Sequence, residues 1–191
     1  MNVYCINLES RPERWQQTQY EAGELWMSPI RFDAIKHERG HTGCKLSHMT
    51  LLKQVKDEGK FIIIEDDIKV LKNGYDIAWE AFQQLPHNWD MFYFGATLTR
   101  DIGRYSPNLC RLKGGAATQC IAYNNQNGVV DYILENHNRN RFSAFLRDDV
   151  QDRFNCFITY PMTVTQRAGY SDLLNKYTSS REIRRAYKKH T

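Results

Sequence analysis

The sequence predicts one α/β domain built around a mostly parallel central sheet. The chain has 191 residues, of which 41% are hydrophobic and 25% charged. This composition supports one compact core and disfavours disorder. Short apolar segments alternate with amphipathic ones along the chain, which is the order of strand–helix–strand units. The segment Phe61–Ile64 is apolar without alternation, as expected for a strand that is covered on both faces.

The first half of the chain begins with a predicted strand, Val3–Leu8. Ser10–Glu13 has the pattern of a capping box with an early proline, so we expect a helix from Arg11 to Ala22. The other elements predicted in this half are a strand Ile30–Ala34, a loop His41–Gly43, a helix Lys45–Asp57 ended by Gly59, and the strand Phe61–Ile64.

The second half continues the alternation of helices and strands. The elements predicted here are a helix Ile77–Leu85, a strand Asp90–Phe94, a strand Thr118–Tyr123, a helix capped by Asn125 with Val129, Val130, Ile133 and Leu134 on its inner face, a short helix Asp148–Phe154, and a strand Cys156–Tyr160. Residues 95–117 are rich in turn formers and are predicted to be a long surface segment.

The cysteine pattern and the hydropathy pattern exclude several classes of protein. The five cysteines include no CxxC pair, so neither a disulfide framework nor a zinc knuckle is indicated. No stretch approaches the ~20 apolar residues of a membrane span, and the first apolar run is too short for a signal peptide. We therefore expect a cytoplasmic location.

The basic residues in excess lie at the end of the chain. Residues 181–191 carry five basic residues and one acidic residue, which accounts for the whole net charge of +4. The basic residues fall on one face of a predicted helix, with Ile183 and Tyr187 off that face. We therefore divide the chain into a domain, residues 1–175, and a basic helical tail, residues 176–191. The tail is interpreted either as a contact for an anionic membrane surface or nucleic acid, or as a solvated terminal helix.

Three consecutive carboxylates, Glu65, Asp66 and Asp67, follow the buried strand. Because strand side chains alternate, Glu65 and Asp67 are expected on one side and Asp66 on the other. Ligands of open α/β sheets bind at the carboxyl ends of strands, and paired carboxylates there can hold a divalent ion together with substrate phosphates. The alternative interpretation is that the carboxylates only mark the exit of the strand into solvent.

Two metal chemistries fit the acidic run taken alone. Asp67-Ile68-Lys69 matches the acid-x-lysine element of many nucleases, which predicts phosphodiester cleavage. The other chemistry is sugar transfer from a nucleotide sugar, in which a metal neutralises charge on the departing diphosphate and a separate carboxylate deprotonates the acceptor hydroxyl. The acidic run does not decide between them.

Six segments of the chain carry a resemblance to a known family. They are Cys5–Arg14, Gly43–His48, Phe61–Asp67, Thr118–Tyr123 with its following helix, Arg147–Asp149, and Gln166 leading to Ser171–Asp172. In order and spacing, over residues 3 to about 174, they resemble successive blocks of glycosyltransferase family 25. This family includes bacterial lipooligosaccharide galactosyltransferases and animal collagen galactosyltransferases.

The resemblance implies a single GT-A-like, or Rossmann-like, domain that binds a nucleotide sugar. It implies Mn²⁺ (or Mg²⁺) and transfer of a hexose from a UDP-sugar to a hydroxyl of a glycan, a glycolipid or another acceptor, with inversion. It also places Asp67 as the direct metal ligand, with Glu65 as a second ligand, and Glu65 or Asp66 near water, ribose or sugar hydroxyls. The alternatives are a metal-dependent nuclease and a catalytically inactive relative that binds a sugar or nucleic acid.

Further candidates for the site come from the other blocks of the resemblance. Asn7, Arg11 and Arg14 lie just past the first strand, where the resemblance implies that a GT-A domain holds its nucleotide. The alternative interpretation is that both arginines are solvated helix residues. Lys45 and Ser47 lie where a helix opens and are candidates to face an anion.

Two more blocks supply a minor candidate and the base. His48 is expected to be a helix-packing residue and is a minor candidate for ligand contact. Asp148 or Asp149 matches the later acidic position of the family and is the predicted catalytic base, while the other could cap the helix.

Overall fold

The computed structural model describes residues 1–137, 141–171, 176–179 and 181–190. The strands are β1 Asn2–Asn7, β2 Pro29–Asp33, β3 Lys60–Glu65, β4 Ile68–Val70, β5 Met91–Tyr93, β6 Thr97–Leu98, β7 Gly103–Ser106, β8 Leu109–Arg111, β9 Gly115–Ala116, β10 Cys120–Asn124, β11 Cys156–Thr159, β12 Val164–Gln166, β13 Gly169–Ser171 and β14 Lys176–Thr178. The helices are α1 Pro12–Gly23, α2 Gly40–Val55, α3 Gly74–Gln83, α4 Val129–Asn136, α5 Phe142–Phe145, α6 Gln151–Arg153 and α7 Arg181–Lys189. A π-helical turn, Leu146–Val150, joins α5 to α6, and 3₁₀ turns span Lys56–Glu58 and Asn125–Asn127.

The central sheet of the described residues has eight strands in the order β2-β1-β3-β10-β5-β11-β8-β7. The strands β2, β1 and β3 are parallel, and so are β5 and β11. The strand β10 is antiparallel to both of its neighbours, and β8 is antiparallel to β11 and β7. Six strands therefore run in one direction and two in the other. The predicted α/β class with a mostly parallel central sheet is confirmed, as a mixed sheet with two reversed strands.

Helices cover both faces of this sheet. Phe61 and Ile63 of β3 pack in one core layer, which includes Leu52 of α2, whereas Ile62 and Ile64 pack in the other layer with Ala22 of α1. Successive strand residues point to opposite faces, so a strand covered on both sides needs apolar residues at every position. The apolar run of β3 is unbroken because both faces of this strand are buried.

The first three strands create a crevice at one edge of the sheet. The chain leaves β1 through α1 to β2 on one side, and then returns through α2 to β3 on the other side of β1. Right-handed crossovers in opposite directions place their helices on opposite faces of a sheet. The helices α1 and α2 therefore lie on opposite faces, and the crevice lies between them at the carboxyl ends of β1 and β3. Such a point of reversed strand order is where open α/β sheets bind their ligands.

The helices α1 and α2 differ in detail from the prediction. The N-cap of α1 is Arg11, which makes no side-chain capping hydrogen bond, and the expected capping box is therefore absent. The helix α2 begins at Gly40, so the predicted loop His41–Gly43 is helical. A Cβ at Gly43 would lie 2.7 Å from the carbonyl oxygen of Ile35, so this early turn of the helix requires a glycine.

The prediction of a long surface segment at residues 95–117 was wrong. This segment contains four short strands, of which β7 and β8 form a hairpin that extends the central sheet and β6 pairs with β9. Leu98, Leu109 and Leu112 are buried. The turn formers do mark turns, but the strands between them are only two to four residues long, too short to show a period in the sequence.

The basic segment at the end of the chain includes α7, which packs on the core. Ile183 and Tyr187 are buried in the core layer of α2, and the Tyr187 hydroxyl donates to the Thr159 carbonyl at 2.8 Å. The basic residues Arg184, Arg185, Lys188 and Lys189 are exposed. The predicted boundary at residue 175 lies in residues 172–175, outside the described residues, and stays a prediction. No helix in the described ranges has the length and apolar character to cross a membrane.

Candidate active site

A cleft of about 490 Å³ opens at the carboxyl ends of β1 and β3. Its size falls in the range of small-molecule and cofactor sites. The run Glu65–Asp67 forms an acidic wall of this cleft. Cationic and imidazole side chains also line it, namely Arg11, Arg14, Lys36, His37, His41, His48 and Arg141. The cleft therefore offers carboxylates to a cation and positive groups to an anion, which is the combination that a metal-bound phosphate needs.

Glu65 ends β3 and is held by three groups of the protein. Its Oε1 accepts a hydrogen bond from the Thr118 hydroxyl at 2.5 Å, lies 3.1 Å from Nε2 of His48 and lies 4.0 Å from Sγ of Cys44. Burial tends to raise the pKa of Glu65, but the hydrogen bond and the charge of His48 hold this pKa below its ordinary value. Glu65 is therefore an oriented, ionised carboxylate.

Asp66 points to a different set of partners, as strand alternation predicts. Its carboxylate accepts hydrogen bonds from Asn7 Nδ2 at 2.8 Å and from Arg14 at 3.1 Å. The same Arg14 guanidinium also donates to the carbonyl of Tyr170. Burial raises the pKa of Asp66, and the positive charge of Arg14 opposes this rise. Asn7 is fully buried and does not line the cleft, so its contact with the site is through Asp66.

Of the three carboxylates, that of Asp67 has the fewest hydrogen-bond partners among the described residues. Its Oδ1 is buried and has no hydrogen-bond partner among the residues that the structure describes. Burial, together with the charges of Glu65 and Asp66, raises the pKa of Asp67 to about 8. A buried carboxylate oxygen without a partner is costly unless a cation satisfies it. The residues at this point therefore fit a divalent ion.

The structure brings some of the predicted donor-binding residues to the cleft and leaves others outside it. Arg11 and Arg14 line the cleft, and Lys45 does not. Ser47 also lines it, but its hydroxyl donates to the Gly43 carbonyl and accepts from the Ile35 amide, each at 2.8 Å. This hydroxyl thus joins α2 to the preceding loop.

The two predicted catalytic residues do not line the cleft. Asp148 forms a bidentate ion pair with Arg147, at 2.6 and 2.8 Å. Asp149 accepts from the Tyr132 hydroxyl at 2.5 Å and from Arg153 at 2.9 Å. Both residues lie in the π-helical turn, an irregularity that is frequent at functional sites. Their role as a base stays a prediction.

Cys44 and Thr118 are cleft residues that we did not predict, and His48 was only a minor candidate. Cys44 and His48 are four residues apart, and side chains at this spacing share one face of a helix. That spacing was visible in the sequence and is the signal that could have identified the pair. No local pattern connects Thr118 to Glu65, because the two residues are 53 positions apart in the chain.

The mixed α/β sheet with its crevice is a GT-A-like fold, and two solved structures share it. A structure described as "a glycosyltransferase involved in the glycosylation of the major capsid of PBCV-1" is similar to this chain, with a TM-score of 0.56 and 11% sequence identity over 98% of each chain. A197 from STIV is similar with a TM-score of 0.53 and 8% identity over 94% of each chain. No family model matches the sequence, and no curated protein matches it. At these identities the comparisons show the fold alone.

The raised pKa of Asp67 predicts how stability depends on pH in the metal-free protein. The folded state keeps the Asp67 proton up to about pH 8, whereas the unfolded chain releases it near the ordinary value of 3.8. The folded state therefore binds more protons between these values, and this group lowers the free energy of unfolding as pH rises from about 4 to about 8. Asp67→Asn removes this contribution.

We expect Asp67→Asn to unfold at a higher temperature than the unchanged protein at pH 8 in EDTA. The expected gain is at least about 2 °C, the effect of roughly 1 kcal/mol in a chain of this size, and it shrinks towards pH 4. Thermal unfolding followed by circular dichroism measures it, with Asp76→Asn, exposed on α3, as the control. An Asp67→Asn protein less stable than the control at pH 8 contradicts the prediction.

Proposed function

We propose that this protein is a glycosyltransferase that uses a nucleotide sugar and a divalent cation. The observation that carries the proposal is the buried Oδ1 of Asp67, which has no hydrogen-bond partner among the described residues and lies in a cleft that also contains Arg11, Arg14, Lys36 and Arg141. The GT-A-like fold and the motifs that resemble family 25 support the same class. Within this class we propose transfer of a hexose from a UDP-sugar to a hydroxyl of a glycan or glycolipid, with inversion.

The acidic and the basic residues of the cleft have different roles in this proposal. Asp67 and Glu65 would hold Mn²⁺ or Mg²⁺, and the ion would supply positive charge to the departing diphosphate. The arginines and Lys36 would bind phosphate oxygens, a task for which guanidinium groups are well shaped. Thr118 and His48 fix the direction of Glu65, so this carboxylate reaches the site in one orientation.

A panel of nucleotide sugars tests the proposed function directly. We expect a UDP-hexose with Mn²⁺ to raise the melting temperature, because a ligand that binds only the folded state stabilises it. A ligand at about 100 times its Kd adds roughly 2.7 kcal/mol, which is about 5–11 °C for a chain of this size. Each nucleotide sugar is measured with Mn²⁺ and with EDTA. If no nucleotide sugar shifts the melting temperature under either condition, the proposed function is wrong.

Asp148 and Asp149 remain our proposed candidates for the base that inversion requires. We expect Asp148→Asn or Asp149→Asn to lower kcat by about 10²-fold or more, since general-base catalysis contributes this much. Donor binding, measured by thermal shift, should stay unchanged. Asp152→Asn is the matched control, because Asp152 lies on the neighbouring helix α6 and pairs with Arg100 on the surface. Unchanged turnover in both variants would remove these residues from the mechanism.

The nuclease alternative has less support from the geometry. In the element Asp67-Ile68-Lys69, Ile68 is fully buried and Lys69 does not line the cleft. The Lys69 ammonium lies 3.1 Å from Glu21 of α1. A nuclease site of this kind needs its lysine beside the carboxylates, so we favour sugar transfer. Incubation of plasmid with the protein and Mg²⁺ distinguishes the two, because nicking would support the nuclease.

The basic face of α7 stays a proposed contact for an anionic membrane surface or nucleic acid. Because Ile183 and Tyr187 are buried in the core, deletion of residues 181–191 would disturb folding as well as charge. Reversal of charge at the exposed residues Arg185, Lys188 and Lys189 changes the charge of this face and keeps the buried residues in place.

A further inference from the structure

A second set of ligand atoms lies on the α2 wall of the cleft. Cys44 and His48 are one helical turn apart on α2 and face the end of β3. Sγ of Cys44, a ring nitrogen of His48 and a carboxylate oxygen of Glu65 all lie within 4.8 Å of one another. Three residues therefore bring a sulfur, a nitrogen and an oxygen to one place.

The distances in this cluster suit a tetrahedral metal ion. Zinc bonds of about 2.0–2.3 Å place neighbouring ligand atoms roughly 3.3–3.6 Å apart. The distance from His48 Nε2 to Glu65 Oε1 is 3.1 Å, and that from Cys44 Sγ to the same oxygen is 4.0 Å. Shifts of about half an ångström bring both distances into that range. Three protein ligands leave the fourth position open to water or substrate, as in catalytic rather than structural zinc sites.

The neighbours of the cluster hold its side chains in place. The His48 ring is 1% exposed and stacks on Phe142, with the ring centroids 4.8 Å apart. Nδ1 of His48 is buried without a partner in the described part of the chain, so Nε2 is the nitrogen that reaches the cluster. The Thr118 hydroxyl donates to Glu65. Such outer contacts orient metal ligands before the ion arrives.

We propose that Cys44, His48 and Glu65 bind one transition metal ion of the zinc type. Binding displaces the thiol proton of Cys44 to solvent, and His48 binds as the neutral imidazole through Nε2, with its ring proton on Nδ1. Thiolate and imidazole are softer ligands than carboxylate, so this site prefers Zn²⁺ or Co²⁺ over Mg²⁺. It is a different site from that of Asp67, although Glu65 belongs to both, and it does not depend on sugar transfer.

Cobalt spectroscopy of the full chain tests the site without an activity assay. The protein is dialysed against a chelator and titrated with Co²⁺. We expect a near-ultraviolet thiolate-to-cobalt band and intense visible bands of tetrahedral cobalt, and both should saturate at one equivalent. Cys44→Ser should remove the thiolate band, and His48→Gln should weaken binding by at least about tenfold. Cys110→Ala, which removes a buried cysteine of β8, should leave the spectrum unchanged.

The possible outcomes separate this inference from the proposed function. Absence of the thiolate band in the unchanged protein, or its persistence in folded Cys44→Ser, overturns the inference. If Mn²⁺ and a UDP-hexose still stabilise a protein that gives no cobalt band, only the inference fails. If the band appears and no nucleotide sugar binds, only the proposed function fails. Asp67→Asn should keep the cobalt band while it loses the response to Mn²⁺.

Discussion

We expect Asp67→Ala to reduce metal-dependent sugar transfer by about 10³-fold or more, because loss of a group that stabilises developing charge costs several kcal/mol in the transition state. Asp67 lies two residues after Glu65, just past the end of β3. Its Oδ1 is buried without a partner among the described residues, so no structural contact of that oxygen is lost with it. The loss should therefore appear in the chemistry and not in the fold.

Turnover of a UDP-hexose and Mn²⁺ binding, followed by electron paramagnetic resonance, measure this effect. The variant Asp67→Asn is the informative companion, because we expect it to be at least as stable as the unchanged protein at pH 8 and still inactive. Asp76→Ala, exposed on α3, controls for the loss of an acidic residue. Activity within a few-fold of the unchanged protein in both Asp67 variants would show that Asp67 does not hold the ion.

The largest expected loss of stability is that of Gly95→Ala. A Cβ at this position would lie 1.9 Å from the carbonyl oxygen of Val164 and 2.8 Å from Cγ of Met162. The carbonyl belongs to backbone that is fixed to the same strand end, since the Val164 amide donates to the Phe94 carbonyl at 3.0 Å. The clash cannot be relieved by rotation of a side chain, and the segments must move apart.

We expect this substitution to lower the free energy of unfolding by about 3 kcal/mol or more and the melting temperature by roughly 6–12 °C. Urea unfolding and thermal unfolding both measure it. Gly103→Ala is the matched control, because a Cβ there meets no atom within 4 Å, and its effect should stay within about 0.5 kcal/mol. A Gly95→Ala protein that unfolds together with the Gly103→Ala control would show that β5 and β12 are not packed this closely.

Local patterns were sufficient to predict the framework of the fold. The unbroken apolar run of β3 marked a strand covered on both faces, and the charges after it marked the edge where the cleft opens. Both features depend on neighbouring residues and therefore leave a signature in a short stretch of sequence. The acidic wall of the site could be predicted for the same reason.

What could not be predicted depends on contacts between distant segments. In residues 95–117, β8 pairs with β11, β7 pairs with β8 and β6 pairs with β9, and each strand is too short to show a period. The orientation of the Asp149 side chain depends on the Tyr132 hydroxyl, 17 residues away on α4, and the acidity of the Asp148–Asp149 pair alone does not indicate it. Side-chain direction at a helical irregularity is decided by packing, which local sequence does not encode.

The double contact of Arg14 has a consequence for the order in which ligands would enter. Its guanidinium is shared between the Asp66 carboxylate and the Tyr170 carbonyl. If a diphosphate bound the Arg14 guanidinium before any cation was present, the buried Asp66 carboxylate would lose its positively charged partner. Under the proposed function the cation therefore binds first. The nucleotide binds second, when the cation has already neutralised the carboxylates that would repel its diphosphate. Release would run in the opposite sequence, with the metal departing last.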